Sequence, residues 1–183
     1  DSSIRIIVID DDIKNILEIG SAIGYSAIKM ALVSDDIKIT TIEKDENRYN
    51  IAVDNINKFN LQERINIILG DALETTIEGE FDLIFIDASK GNNINFFNKY
   101  KTNLKYNGII ITDNLLFHGL VKDESLVKTR NQRGIVRKIK QFIEFLDNND
   151  EFRTKYSKYH CKNNCSNFVY GFILDRNVLI KKL

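Results

Sequence analysis

Short runs of aliphatic and β-branched residues alternate along the chain with segments whose apolar positions recur every three or four residues. The runs Asn15 to Gly20, Lys38 to Glu43, Ile65 to Gly70, Phe81 to Asp87 and Gly108 to Asn114 each end in glycine, an acid or its amide. Their near-continuous apolar character predicts strands covered on both faces, as in a parallel sheet. Between them, Tyr49, Ala52, Val53, Ile56 and Phe59 fall on one helical face after the acidic turn Asp45-Glu46. Ile135, Ile139, Phe142, Ile143 and Leu146 repeat the pattern later, and Phe96, Phe97 and Tyr100 have helical spacing that suits a core. Strands alternating with helices predict an α/β, doubly wound, mostly parallel sheet. Asn167 to Leu174 and Val178 to Ile180 are expected as an antiparallel C-terminal edge. Ile4 to Ile9 reads as a further short strand before the turn Asp10-Asp11-Asp12, and Phe117 to Val127 as a loop.

The chain has 183 residues, 43% of them hydrophobic and 28% charged, which suits one globular domain over residues 1–183. Lysine plus arginine and aspartate plus glutamate both number 26, so the formal charge is zero. That balance disfavours a protein that grips a polyanion over its whole surface, though a local basic patch is still compatible with it. Cys161 and Cys165 cannot build a disulfide scaffold, and a reducing cytoplasm is the expected compartment. No apolar run approaches the roughly 20 residues of a membrane span, so no membrane partner is expected.

The first strand-to-helix junction reads Glu18-Ile19-Gly20-Ser21-Ala22-Ile23-Gly24-Tyr25-Ser26. A dinucleotide fingerprint would need glycine at positions 22 and 25, where Ala22 and Tyr25 stand, which makes an NAD-dependent oxidoreductase a poor reading. A phosphate-binding loop lacks its Gly-Lys-Ser/Thr. Glu43 closes the second strand, where a carboxylate accepts hydrogen bonds from ribose hydroxyls. Glu18 would repel a diphosphate yet tolerate a sulfonium. An acid, Gly-x-x-x-Gly, then an acid at the next strand end is the arrangement that holds S-adenosylmethionine.

The fourth and fifth strands end in Asp87-Ala88-Ser89-Lys90 and Thr112-Asp113-Asn114. On adjacent strands, Asp87, Asp113 and Asn114 would meet at one rim as hard oxygen ligands for Mg²⁺, Mn²⁺ or Ca²⁺. Helix capping is the alternative for these residue types. Lys90, three residues past Asp87, could reach a substrate oxygen there.

Leu17 to Ala31, Phe81 to Lys90 and Ile109 to Asn114 together resemble the cation-dependent O-methyltransferases of the catechol and caffeoyl-coenzyme A type, over about Asn15 to Leu146. The resemblance implies a Rossmann-like class I methyltransferase sheet, methyl transfer from S-adenosylmethionine to a metal-chelated hydroxyl, and a homodimer. It implies that Glu18, Gly20 and Ser26 line the methionine end of the cofactor, with Ser21 in the same set. Glu43 would hold the ribose, and Asp71 and Ala72 the adenine side. Asp87, Asp113 and Asn114 would bind the metal, with Asp87 also facing the cofactor. Lys90 would be the base, assisted by Asp87. Fourteen residues precede Asn15, so the family's N-terminal helical segment is expected to be missing or divergent.

Leu115 to Val121, followed by a basic segment, resembles the bacterial branch that methylates 5-hydroxyuridine in tRNA. Lys128, Arg130, Arg133, Arg137, Lys138 and Lys140 include no acid between them and could neutralise RNA phosphates; a solvated helix face is the alternative. A 5-hydroxyuracil offers its O5 hydroxyl beside O4, a vicinal pair like that of a catechol. Small catechol-like phenols therefore stay open as acceptors, as does a non-catalytic module that binds an adenosyl ligand or a partner. His160, Cys161 and Cys165 lack a nearby fourth ligand for zinc, and His118 could touch substrate or line the loop.

Overall fold

The computed structural model describes residues 13–113, 115–117 and 119–154, together with the backbone of 174–175. Five strands, β1 (Asn15–Ile19), β2 (Lys38–Glu43), β3 (Ile65–Leu69), β4 (Phe81–Ile86) and β5 (Leu104–Thr112), pair in parallel. A two-residue strand, β6 (Leu174–Asp175), lies antiparallel to β5 at Ile109 and Ile110. The rest of 167–174 and 178–180, the opening Ile4 to Ile9 and Asp10-Asp11-Asp12 lie outside the described residues, as do His160, Cys161 and Cys165.

The sheet order is β3-β2-β1-β4-β5-β6. The chain therefore reverses its direction of winding between β1 and β4, which opens a crevice above their carboxyl ends. Alternate side chains of each strand enter separate cores. Leu17, Ile19, Ile84, Ile86 and Ile110 pack with the helices α3 (Asn93–Tyr100) and α4 (Arg130–Asp147). Ile16, Leu83, Phe85, Ile109 and Ile111 face the other side, with α1 (Tyr25–Ala31) and α2 (Glu46–Lys58).

Local chemistry accounts for the helix ends. The Asp45 side chain accepts the Arg48 amide and caps α2, while Thr129 and Gln132 form a reciprocal capping box at α4. The structure differs from the pattern at two places. Phe59 is 54% exposed because α2 stops at Lys58 and leaves it on the cap, off the buried face. β5 begins four residues earlier than Gly108, at Leu104. Lys105, Tyr106 and Asn107 interrupt its apolar run, and Asn107 takes a left-handed φ of 67° beside a register shift against β4. Among the described residues of the 117–127 connection, Glu124–Leu126 forms a turn of 3₁₀ helix.

Phe97 is fully buried at the centre of the α3–α4 layer, edge-on to Phe142, Phe145 and Phe152 at 6.4, 5.5 and 5.1 Å. Phe97→Ala should cost about 3–5 kcal/mol in denaturant titration, since the surrounding rings cannot collapse into the space. A loss below about 1 kcal/mol would show that α4 is not held through this cluster.

Candidate active site

Gly20 leaves β1 with a φ of +97°, and a Cβ placed on it would stand 2.7 Å from the Asp87 carbonyl oxygen. Glycine is what lets the ends of β1 and β4 come this close. The loop folds back so that the amides of Gly20 and Ser21 both donate to the Ile42 carbonyl, at 3.0 and 3.2 Å. It ends at Gly24, whose left-handed φ of +80° starts α1.

Glu43, at the end of β2, is nearly enclosed and grips this loop. Its Oε2 accepts the Ala22 amide at 2.8 Å and its Oε1 accepts the Asp45 amide at 2.9 Å. A carboxylate offers about four acceptor positions, so lone pairs are left over for hydroxyl donors in the crevice. That crevice has a volume of about 360 Å³. Gly20, Glu43, Asp71, Ala72 and Asp87, all expected from sequence, line it together. Tyr100 anchors the Asp71-Ala72 loop: its hydroxyl donates to the Ala72 carbonyl at 2.6 Å, and burial, aided by the Asp71 charge, pushes the phenol up to about 12.

Glu18, Ser21 and Ser26 lie behind this wall and do not line the crevice. Glu18 is fully buried in β1. It accepts hydrogen bonds from the Ser26 hydroxyl and, at 2.5 Å, from the Thr41 hydroxyl. Burial pushes its carboxyl up to about 7; the Asp87 and Glu43 charges add to the rise and the two hydroxyls oppose it. Lys44 and Arg48 also line the crevice, and sequence reasoning missed them. The available signal was Arg48's position in the first turn of a helix that starts at the rim.

On the other side, Lys90 Nζ donates to Asp87 Oδ1 at 2.7 Å; the lysine side chain is 13% exposed and the carboxylate 40%. Asp113 follows β5, and its amide donates to the Ile86 carbonyl at 3.2 Å, so the two carboxylates end neighbouring strands. Asn114 and His118 lie outside the described residues. Among the described residues no cluster of three or more His, Cys, Asp or Glu forms. Two hard carboxylates beside an open crevice fit a cation such as Mg²⁺, which keeps water or substrate oxygens in its shell.

The basic residues divide in three ways. Arg130, Arg133, Arg137 and Lys140 line a groove of about 550 Å³ on α4. Lys140 is paired with Glu124. Lys138 instead lies against the turn that carries Lys90, its Nζ 3.3 Å from where a Cβ on Gly91 would stand. Lys128 is exposed ahead of the helix.

Unfolding returns Glu18 to a carboxyl near 4.5, so between that value and about 7 the native state holds the extra proton. Stability must then fall as the pH rises through this window. Denaturant titrations of wild type and Glu18→Gln should diverge by roughly 2–3 kcal/mol between about pH 5 and 7, with the wild type losing. Parallel profiles would contradict the raised carboxyl.

Comparison with known proteins agrees with this geometry. A family model described as O-methyltransferase matches residues 4–156. A caffeoyl-CoA O-methyltransferase of Stellaria longipes is 33% identical over 117 residues, 59% of this chain and 48% of the relative. The chain spans about half the length of the curated relatives it matches. A candidate caffeoyl-CoA O-methyltransferase from Staphylococcus aureus superposes with a TM-score of 0.84 at 36% identity, covering 94% of this chain and 81% of that one. The O-methyltransferase of Bacillus cereus, solved with SAH, gives 0.77 at 28% identity, covering 92% and 78%. Sheet order, glycine loop and strand-end acids thus coincide with a match over most of the sequence, and the chain belongs to the O-methyltransferase family.

Proposed function

We propose that this protein transfers a methyl group from S-adenosylmethionine to one hydroxyl of a vicinal oxygen pair, in a reaction that depends on a divalent cation, and that the acceptor is 5-hydroxyuridine in tRNA. The observation that carries the reading is the single crevice where Gly20 and Glu43 on one side meet Asp87 on the other, with Lys90 bonded to Asp87 at 2.7 Å. Relatives of the same fold solved with SAH support the cofactor.

Glu43 accepts from the ribose hydroxyls while holding Ala22, and Asp71 and Ala72 flank the adenine. The tight Gly20 turn leaves room for the methionine end, with Ser21, Ser26 and the buried Glu18 backing it. Asp87, Asp113 and Asn114 would hold the cation, which supplies Lewis acidity and lowers the acceptor hydroxyl's pKa. Lys90, once its own proton has passed to solvent, would take the hydroxyl proton at Nζ, and bound S-adenosylmethionine would supply the methyl group to that oxygen and leave as SAH. Positioning and electrostatics in the crevice supply most of the rate.

The RNA acceptor rests on α4. No acid sits in its first turn, and Arg130 and Arg133 stand where the helix dipole disfavours cations. Gly134 adds about 1 kcal/mol of helix cost with nothing within 4 Å of its missing Cβ. A run of unfavourable local choices on one exposed face suits a polyanion that repays them. The second reading, methylation of a small catechol-like phenol, draws support from the caffeoyl-CoA O-methyltransferases among the relatives. No helix among the described residues is long and apolar enough to cross a membrane.

Asp113→Ala should abolish Mg²⁺-dependent methyl transfer while SAH affinity in calorimetry stays within about threefold, because the carboxylate lies on the acceptor side. Full activity after EDTA treatment would sink the cation requirement. For the acceptor, replacing Arg133 and Arg137 with Ala should make the salt dependence of tRNA binding shallower by roughly two counterions. Transfer to a free catechol should hardly change. Equal losses on both acceptors would assign the helix a structural role.

A further inference from the structure

Asn93 opens α3 at 2% exposure, and neither its Oδ1 nor its Nδ2 has a hydrogen-bond partner. A buried amide with both ends unpaired is costly, and in a native protein it calls for a partner that arrives at some stage of function. The residue follows directly on the 3₁₀ turn Lys90–Asn92, in which Asn92 leaves helical backbone at φ −118° and ψ 11°. Asn93 stands three residues, one turn of chain, beyond Lys90. Lys90 is itself largely buried, and its ammonium gives one of three protons to Asp87. A donor with two protons in hand and an acceptor with none thus sit one turn apart. The turn carrying them is packed under Lys138 of α4.

We propose that Asn93 is the second seat of the Lys90 amine, a positioning residue that receives it through Oδ1 whenever the Asp87 carboxylate turns to a ligand in the crevice. Asp87 lines that crevice and is the more exposed partner of the pair, so it is the one free to turn. With a single acceptor, Lys90 would be released to solvent each time the site filled. With two, it stays beside the place where the acceptor hydroxyl must stand. The consequence for catalysis rests on the reaction proposed above; the seat itself does not. The competing partner is the Thr112 hydroxyl, which follows Ile110 on the same sheet face and is also buried and unpartnered.

The test is a double-mutant cycle read without any ligand. Lys90 acetylation by an N-hydroxysuccinimide ester, followed by peptide mass spectrometry, is compared in wild type, Asp87→Ala, Asn93→Leu and the double variant. Either single variant should label within about twofold of wild type, because the other acceptor holds the amine. The double variant should label about tenfold faster, a coupling typical of groups that share a partner. Asn93→Leu should also melt no lower than wild type, and about 2–4 °C higher if the amide is unpaired in solution. Asn93→Ser, a smaller change, guards against a repacking artefact and should label as Asn93→Leu does. Equal rates for Asp87→Ala and the double variant would overturn the seat. A Tm drop in Asn93→Leu in that case would assign the amide to a bond with Thr112 instead. With tRNA carrying 5-hydroxyuridine and Mg²⁺, Asn93→Leu should lower kcat and leave the cofactor KM unchanged. Absence of transfer by the wild type would overturn the proposed reaction while the labelling cycle stood.

Discussion

A side-chain carbon at position 20 would stand 2.7 Å from the Asp87 carbonyl oxygen, so β1 and β4 can end side by side only with glycine there. The parallel pairing of Glu18 with Phe85 and Ile19 with Ile86 carries both strands to the same rim. Because the sheet winds outward in both directions from this pair, nothing crosses above it, and the space stays open. Every group argued to act in the reaction is placed by one of the strand ends around that gap. Enlarging residue 20 would separate the cofactor side from the acceptor side before it touched either ligand.

The carboxylates around the gap do different work because their surroundings differ. Glu18 is sealed in β1 with two hydroxyl donors, and burial dominates its carboxyl. Glu43 holds the loop through backbone amides and still faces the crevice. Asp87 is open to solvent on one side and bonded to an enclosed lysine on the other. A buried acid that braces the first strand therefore stands behind acids that can meet a ligand, and the bracing acid has little room to move.

The α3–α4 layer supports the same rim from below. Phe97 and its ring neighbours hold α4 against α3, while Lys138 of α4 covers Gly91 in the turn that carries Lys90. The arginines facing the outer groove sit on this same helix, so one element carries the basic surface and packs against the turn that bears Lys90. Tyr100, one helical turn beyond Phe97, ties α3 to the Asp71-Ala72 loop through the Ala72 carbonyl.

The order of strands and helices, the glycine loop and the acids at the strand ends were all legible in the amino-acid sequence. Continuous apolar runs, period-3.6 patterns and glycines at bends are local properties that the chain carries wherever it folds. Polar residues concealed the first half of β5, where Leu104 pairs with Phe81 and the register then shifts before Ile109 meets Leu83. The exposure of Phe59 depended on where α2 stops, a matter of one residue at its cap. Which acids face the crevice was a tertiary decision as well. Glu18 and Glu43 look alike in sequence, but neighbouring strands enclose one completely and leave the other at the rim. The orphaned amide of Asn93 has no sequence signature at all. Its cost arises only when the sheet and α4 close over the turn and exclude the water that would otherwise satisfy it.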